Sequence, residues 1–295
     1  MSFNIANVKV LHLEPSSRCN AACPQCDRYT NSGEILNPKI TIKDLKLETI
    51  KEKLTIDFVA NLNKMFMCGN YGDPAAHRDP ISIYEWFREI NQTITLGMNT
   101  NGGLRNAQFW TKLGKMLSRE RDYCVFSIDG LEDTNHLYRR NVNFNKVIIN
   151  VKEFIAAGGR AHWDMLVFKH NEHQVDDCMR LAKKLGFVAF RAKVSKRFTY
   201  KPIDGLEPPE VYQHNATYGN IDCFALAEKS IFMNYMGELQ PCCWLGNTSY
   251  KLEDFPIIIN SWTGSNTVSN CKNSCSTDES GSNFGKQWYR EEYFV

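Results

Sequence analysis

Three cysteines, Cys19, Cys23 and Cys26, fall within eight positions of the chain, in the stretch R-C-N-A-A-C-P-Q-C-D-R. Cysteine-only metal sites usually close around four thiolates, because a structural zinc ion or a fully ligated iron–sulfur cluster leaves no vacancy. Three thiolates imply an open coordination position, and open positions are where metal centres do chemistry. Thiolates are soft, anionic ligands suited to iron or zinc, and Pro24 lets the loop wrap a metal centre without regular backbone pairing. A zinc site built on these three needs a fourth ligand, such as His12 or a distal cysteine.

A second group lies in the last quarter of the chain: Cys223, Cys242, Cys243, Cys271 and Cys275. Four of these thiolates are enough for a zinc ion or an iron–sulfur cluster, and spacing alone does not name the metal. The segment EKSIFMNYMGELQPCC reads as a β-hairpin turning at Met236-Gly237, which returns the second ligand beside the first. Cys124 and Cys178, in a strand-like and a helix-like stretch, read as core packing, whereas Cys68 precedes a glycine-rich turn.

These side chains need elements to position them. VKVLHLEP (8–15), KMFMCGN (64–70), ITLGMNTNG (94–102), YCVFSIDG (123–130), AHWDMLVFKHN (161–171) and VAFRAKVSK (188–196) are short apolar or β-branched runs that predict buried strands. Amphipathic stretches at 41–54, 81–90, 106–117, 144–159 and 174–186 predict helices between them, with Gly158 and Gly186 as stops. Strand–helix alternation means a parallel α/β sheet with right-handed crossovers, either a partial barrel or, as the second choice, a doubly wound open sheet. The unusual residues all follow strands: the cysteine loop after the first, G-N-Y-G-D-P (69–74) after the second, N-T-N-G-G (99–103) after the third, S-I-D-G (127–130) after the fourth and Asn171 after the fifth. In parallel barrels that C-terminal face carries the active site.

Composition limits the partners. The 295 residues are 43% hydrophobic and carry 35 Lys and Arg against 33 Asp and Glu, a net charge of +2. That suits one large domain with a small appendage, and it gives no global field for nucleic acid or an acidic membrane. The opening MSFNIANVKVLHLEP lacks the build of a signal peptide, and no apolar run reaches membrane-spanning length, so a cytoplasmic location is expected.

Cys-x3-Cys-x2-Cys at the exit of the first strand, followed in order by G-D-P, T-N-G-G and S-I-D-G at successive strand ends, resembles the radical S-adenosylmethionine (radical SAM) superfamily over about residues 8–196. The resemblance implies a partial (β/α)6 TIM-like barrel in which Cys19, Cys23 and Cys26 hold a 4Fe–4S cluster and SAM fills the open iron. It implies an enzyme that cleaves SAM reductively to a 5′-deoxyadenosyl radical, which removes a hydrogen atom from the substrate. The electron comes from an external flavodoxin- or ferredoxin-like reductant. Gly72 would let backbone approach SAM, and Asp73 would accept from its ammonium, although glutamate is commoner at that position. Ser127 with Arg139, or alternatively Arg140, would hold the polar end of SAM. Asn99, Thr100, Asn101 and Asn171 would meet its ribose or adenine, although asparagine after a strand is also a common turn former.

Cys223, Gly237, Cys242 and Cys271-x3-Cys275 resemble the shortened SPASM extension called a twitch domain, implying a second 4Fe–4S cluster ligated by Cys223, Cys242, Cys271 and Cys275, with Cys243 competing with Cys242. The expected organisation is a barrel over 1–196, a proline-containing linker over 197–222, and the auxiliary module with a polar tail over 223–295. Substrates of such enzymes are peptide or protein side chains or small molecules. The chain lacks length for a separate peptide-binding domain ahead of the barrel, which lowers the peptide reading without removing it. Arg191, Lys193, Lys196, Arg197 and Lys201 form a basic stretch, read as a solvated edge in preference to a phosphate or carboxylate site. The alternative from a different class is a non-enzymatic metal-binding or electron-transfer protein.

Overall fold

The computed structural model describes residues 5–199, 201–210, 220–246, 248–263 and 266–277. All six expected strands form: β1 (Val10–Leu13), β2 (Lys64–Met67), β3 (Thr95–Thr100), β4 (Tyr123–Ser127), β5 (Ala161–Val167) and β6 (Ala189–Val194). They pair in parallel and in sequence order, β1 to β6. A doubly wound sheet reverses its order at a switch point. No reversal occurs along these six, so the sheet is the α/β partial barrel.

Five of the connecting helices pack on its outer face: α1 (Leu47–Lys53), α2 (Pro80–Ile90), α3 (Ala107–Met116), α4 (Phe144–Ala156) and α5 (Val175–Leu185). Local chemistry fixes their ends. Asp79, Asn106 and Asn143 cap α2, α3 and α4 by accepting from Ser82, Phe109 and Lys146 backbone N–H groups. Gly158 and Gly186 stop α4 and α5 at φ of 93° and 88°, which other residues adopt only with strain. The apolar stripes of α3 and α4 meet the strands through Trp110, Phe126 and Phe154, whose rings lie 5.3–6.5 Å apart. Truncating any of these to alanine would cost about 3–5 kcal/mol.

Helix α1 is shorter than the pattern over 41–54 suggests, because residues 41–44 run extended against the first loop. Ser16 pairs with Asp44 as a β-bridge and donates its hydroxyl to Asp44 Oδ1 at 2.7 Å, while Ser17 Oγ donates to the Thr41 carbonyl at 2.8 Å. These contacts take backbone groups that a longer helix would need.

The C-terminal hairpin forms as β7 (Ser230–Met233) and β8 (Leu239–Gln240), turning at Gly237. It does not stand apart: β7 pairs in parallel with β1, Val10 opposite Ser230 through Leu13 opposite Met233, and makes one eight-stranded sheet. Beyond it, Phe224, Leu245, Phe255 and Ile258 gather around Cys242, Cys271 and Cys275 in a small core of their own. The tail from residue 278 and linker residues 211–219 lie outside the described residues.

Candidate active site

A cavity of about 810 Å³ runs along the inner face of the sheet. Alternate residues of each strand line it, as the two-residue period of a strand requires: His12 on β1, Phe66 on β2, Asn99 on β3, Tyr123, Val125 and Ser127 on β4, His162 and Asp164 on β5, Arg191 and Lys193 on β6. Cys19, Cys23 and Cys26 line its C-terminal end.

Donors surround those sulfurs. The Ala21 N–H and the Asn101 amide approach Cys19 Sγ at 3.4 and 3.6 Å, and Arg139 Nη1 approaches Cys23 Sγ at 3.8 Å. Burial pushes Cys23 up to about 11 despite the Arg139 charge, and pushes Cys19 further, so both thiols keep their protons until a metal centre displaces them. Among the described residues no three Cys, His, Asp or Glu side chains converge as ligands of a single metal ion do. A 4Fe–4S cluster takes one thiolate per iron and so asks for wider spacing. Cysteines that are buried at Cys23 and half-buried at Cys19 and Cys26, with N–H donors aimed at the first two sulfurs, fit such a cluster, since these donors stabilise thiolate charge.

The cysteine loop is held on two sides. Arg28 donates to the Tyr71 carbonyl at 2.9 Å and to the Ser17 carbonyl. Gly72 presses so closely on this loop that a Cβ there would lie 1.8 Å from the Ser16 carbonyl oxygen, and the Asp73 N–H donates to the Arg18 carbonyl at 2.7 Å. From the segment after β6, Arg197 donates to the Gln25 carbonyl at 2.8 Å and Lys201 to the Cys26 carbonyl at 2.8 Å. Among its described side chains, Arg191, Lys193, Arg197 and Lys201, the basic stretch is therefore not a solvated edge; the Lys196 side chain lies outside the described residues. Arg197 and Lys201 bind the cysteine loop, and Arg191 and Lys193 face the cavity.

Asp73 lies beside the cysteines with both oxygens engaged by protein. Its carboxylate accepts from Thr100 Oγ1 at 2.8 Å, from the Ala75 N–H at 2.9 Å and from the Asn101 N–H at 2.7 Å. It thereby joins the G-D-P loop to the T-N-G-G loop, and burial raises its pKa against those bonds. Asn99 and Ser127 also line the cavity. Arg139 lines it while donating to Asp129 Oδ2 at 2.6 Å. Arg140 is exposed, donates to the Ser32 carbonyl at 2.7 Å, and is not among the lining residues.

Asn171 is likewise outside the lining. Its amide donates to the Asp129 and Leu166 carbonyls at 2.9 Å each and its oxygen accepts from the Phe168 N–H at 2.7 Å, so the buried side chain closes the turn after β5.

A family model described as the radical SAM superfamily matches residues 13–187. The chain belongs to the radical SAM superfamily. It is a radical SAM enzyme, and membership implies a 4Fe–4S cluster with SAM, which sets aside the non-enzymatic alternative. Solved radical SAM structures share the fold. Streptococcus suis SuiB bound to the precursor peptide SuiA superposes with a TM-score of 0.58 at 15% identity, over 95% of this chain and 70% of that one. The same protein bound to S-adenosylmethionine gives 0.57 at 13% identity, over 95% of this chain and 71% of that one. The structure of anSMEcpe with AdoMet and the Cp18Cys peptide gives 0.55 at 14% identity, over 82% and 76%. No curated protein sequence matches the chain. No helix among the described residues is long and apolar enough to cross a membrane.

In this radical SAM chain the second cysteine group divides. Cys271 and Cys275 share one face of helix α6 (Ser269–Cys275), and the Asp222 N–H donates to the Cys275 carbonyl at 2.9 Å, drawing Cys223 alongside. The Cys223 and Cys275 thiols are hydrogen-bonded, which lowers the pKa of Cys223, and Cys242 stands close enough to Cys223 and Cys271 for their charges to act on it. Cys243 faces the other way. It lines the main cavity, near enough to Cys68 for that thiol's charge to raise its pKa beyond the effect of burial.

One buried carboxylate was not anticipated from sequence. Glu14, just past β1 and 1% exposed, accepts at a single oxygen, Oε1, from the N–H groups of Asn70 at 2.7 Å, Tyr71 at 2.6 Å and Gly72 at 3.3 Å. Three successive N–H groups turned to one anion set the shape of the G-N-Y-G-D-P loop. Burial nonetheless lifts Glu14 to about 7. The available signal was a charged residue ending an otherwise apolar strand ahead of the cysteine motif.

Proposed function

We propose that Cys19, Cys23 and Cys26 hold the 4Fe–4S cluster and that Gly72, Asp73, Asn99, Ser127 and Arg139 form the SAM site beside it. When bound, the cluster supplies the electron, received from an external flavodoxin- or ferredoxin-like reductant, that splits SAM and yields the radical that abstracts a substrate hydrogen atom. The residues do the positioning. Arg139 presents a guanidinium toward the polar end of SAM while remaining anchored on Asp129. Asp73 keeps the Asn101 loop against Cys19, and the Gly72 backbone forms the near wall. The barrel wall excludes water from the reacting atoms. Arg140 and Asn171, engaged elsewhere, belong to the frame.

The C-terminal unit reads as a twitch-type module with an auxiliary 4Fe–4S cluster on Cys223, Cys242, Cys271 and Cys275. The observation supporting this is that Cys242, Cys271 and Cys275 are buried in one small core with Cys223 packed against it, and that Cys243, although it also touches that core, lines the cavity as Cys242 does not. Four protein ligands favour an electron-transfer role for that cluster. A peptide or protein side chain is the favoured substrate class: the SuiB and anSMEcpe structures, alike in fold, carry peptides.

The placing of Cys19, Cys23 and Cys26 together at the end of the cavity, with N–H donors to Cys19 and Cys23, carries the reading. Anaerobic reconstitution tests it. The protein should take up about two 4Fe–4S clusters. Alanine at Cys19, Cys23 and Cys26 should leave one cluster and no reductive SAM cleavage. Alanine at Cys223 or Cys275 should remove the other and leave SAM cleavage to 5′-deoxyadenosine in place, provided the variant stays folded. Zinc filling both sites with iron near background would overturn the reading.

A further inference from the structure

The cysteine loop has two sides. Cys19, Cys23 and Cys26 line the cavity, whereas none of residues 29–43, which follow the loop in the chain, lines it. Those residues flank the loop away from the cavity. Tyr29–Thr30 pairs antiparallel with Ile35–Leu36 as a short ribbon. The Tyr29 N–H donates to the Cys26 carbonyl at 3.1 Å, and Gly33, in the turn of the ribbon, sits where a Cβ would lie 2.5 Å from the Ala22 carbonyl oxygen. Arg140 fixes the same turn through the Ser32 carbonyl. The next segment is tied to the loop as well, since Ser17 Oγ donates to the Thr41 and Lys43 carbonyls at 2.8 and 3.2 Å. Three residues of chain reach at most about 11 Å, so the ribbon begins within that distance of Cys26.

The ribbon and this segment expose Ile35 at 57%, Leu36 at 37% and Ile42 at 38%. An apolar side chain stabilises a fold by being buried, and a two-stranded ribbon is marginal by itself, so these side chains serve the fold poorly where they stand. One exposed isoleucine is ordinary, but three large apolar side chains along the flank of one loop, rimmed by charge, have the make-up of a contact surface. The rim is basic. Arg18, Lys39, Lys43, Arg78 and Arg140 outnumber Asp27, Glu34 and Asp44. The acids are also engaged: Asp44 accepts from Ser16 and lies 3.4 and 3.7 Å from Arg18 and Arg78, Asp27 lies 3.5 Å from Lys201, and Glu34 accepts from Asn31 at 2.7 Å. Lys39, exposed, and Lys43, half-buried, form no ion pair among the described residues.

We infer that the 29–36 ribbon and its basic flank over 37–43 are the docking surface for an acidic one-electron carrier protein of the flavodoxin class. The inference rests on Cys19, Cys23 and Cys26 holding the cluster, as in the radical SAM reading above. SAM and substrate then occupy the cavity side of the loop, and the carrier is left the outer side. Opposite charge steers such an encounter, and electron-transfer complexes are small, so a few apolar contacts inside a basic rim are enough. The carrier is oxidised and the cluster reduced by the same electron, with no covalent bond formed.

The test supplies anaerobically reconstituted protein with two electron sources and measures 5′-deoxyadenosine. One is flavodoxin kept reduced by NADPH and its reductase; the other is dithionite, a small ion that needs no docking surface. The double variant Lys39→Glu, Lys43→Glu should raise the flavodoxin concentration for half-maximal rate by about tenfold or more, with the dithionite-driven rate unchanged. Lys39→Arg with Lys43→Arg keeps the charge and should match the parent. Ile35→Asp should weaken the flavodoxin dependence in the same direction, and the lysine variants carry the comparison if it does not fold. Added salt should slow the flavodoxin-driven reaction of the parent more than that of the glutamate variant. Equal flavodoxin dependence in parent and variants overturns the docking surface. Slowing with dithionite as well would make the ribbon a support of the cysteine loop and overturn it too. A shift from dimer to monomer in sedimentation on Ile35→Asp would assign the face to a second copy of the chain, again against the carrier. No dithionite-driven cleavage by the parent would instead mark failure of the radical SAM reading, and the inference would fall with it.

Discussion

The side-chain amide of Asn70 donates to the backbone carbonyl of Cys243 at 2.6 Å. The carbonyl of Asn70 faces Cys26 Sγ at 4.0 Å, and its N–H is bound by Glu14. One residue of the G-N-Y-G-D-P loop therefore touches the cysteine loop on one side and the C-terminal module on the other. The second cysteine group is fastened to the mouth of the barrel through the same loop that shapes the proposed SAM site.

Asn70→Ala should loosen that fastening. The lost hydrogen bond is worth about 1 kcal/mol of stability. A more specific consequence is that Cys243, which lines the cavity, should react faster with iodoacetamide while Cys242 does not, as mapped by peptide mass spectrometry. Equal labelling of Cys243 in the variant and the parent would show that the contact does not restrain the module.

Glu14 makes stability depend on pH in an unusual direction. Its carboxyl is raised to about 7 in the folded protein, above its ordinary value near 4.5. The folded state therefore holds a proton that the unfolded state has released. Its contribution is fully present below about pH 4.5 and is lost as pH rises through 7, a change of about 3 kcal/mol at most. Glu14→Gln should gain stability relative to the parent between pH 5 and pH 8 in paired thermal melts. Parallel pH profiles would mean that Glu14 titrates as an ordinary carboxylate.

Asp73→Ala leaves three donors without their acceptor: Thr100 Oγ1 and the N–H groups of Ala75 and Asn101. The expected destabilisation is about 1–3 kcal/mol, with SAM affinity falling because the Asn101 loop loses its anchor. Iron content should hold, since the three cysteines are untouched. Titration of the reconstituted variant with SAM checks this, and an unchanged dissociation constant would reduce the G-D-P segment to a turn.

Arg139 has two duties that a double variant separates. Arg139→Met strands Asp129, whose side chain is fully buried, and should cost about 3–5 kcal/mol. Adding Asp129→Asn removes the stranded charge, so the melting temperature should recover. SAM affinity should not recover if the guanidinium itself meets the ligand. Recovery of both together would confine Arg139 to a structural ion pair.

Local sequence determined much of this protein. The strands, most helices, the caps at Asn106 and Asn143 and the stops at Gly158 and Gly186 follow from periodicity and from the conformational preferences of single residues, all of which act over a few positions. The order of motifs at strand ends was enough to expect Cys19, Cys23, Cys26, Asp73, Asn99, Ser127 and Arg139 at one end of the sheet, because parallel strands send every such loop to the same side. Tertiary structure decided what proximity across the chain decides. Nothing local separates Arg139 from Arg140, or Cys242 from Cys243; in each pair adjacent side chains point to opposite sides, and only the packed barrel shows which faces the cavity. Asn171 resembles a ligand contact in sequence and is a turn closer in space, since two carbonyls and an N–H reach it first. The basic residues at and after β6 looked solvated because charge favours water. Asp164, 29 positions before Lys193, supplies the partner that makes its burial tolerable, and the two meet only once β5 and β6 pair.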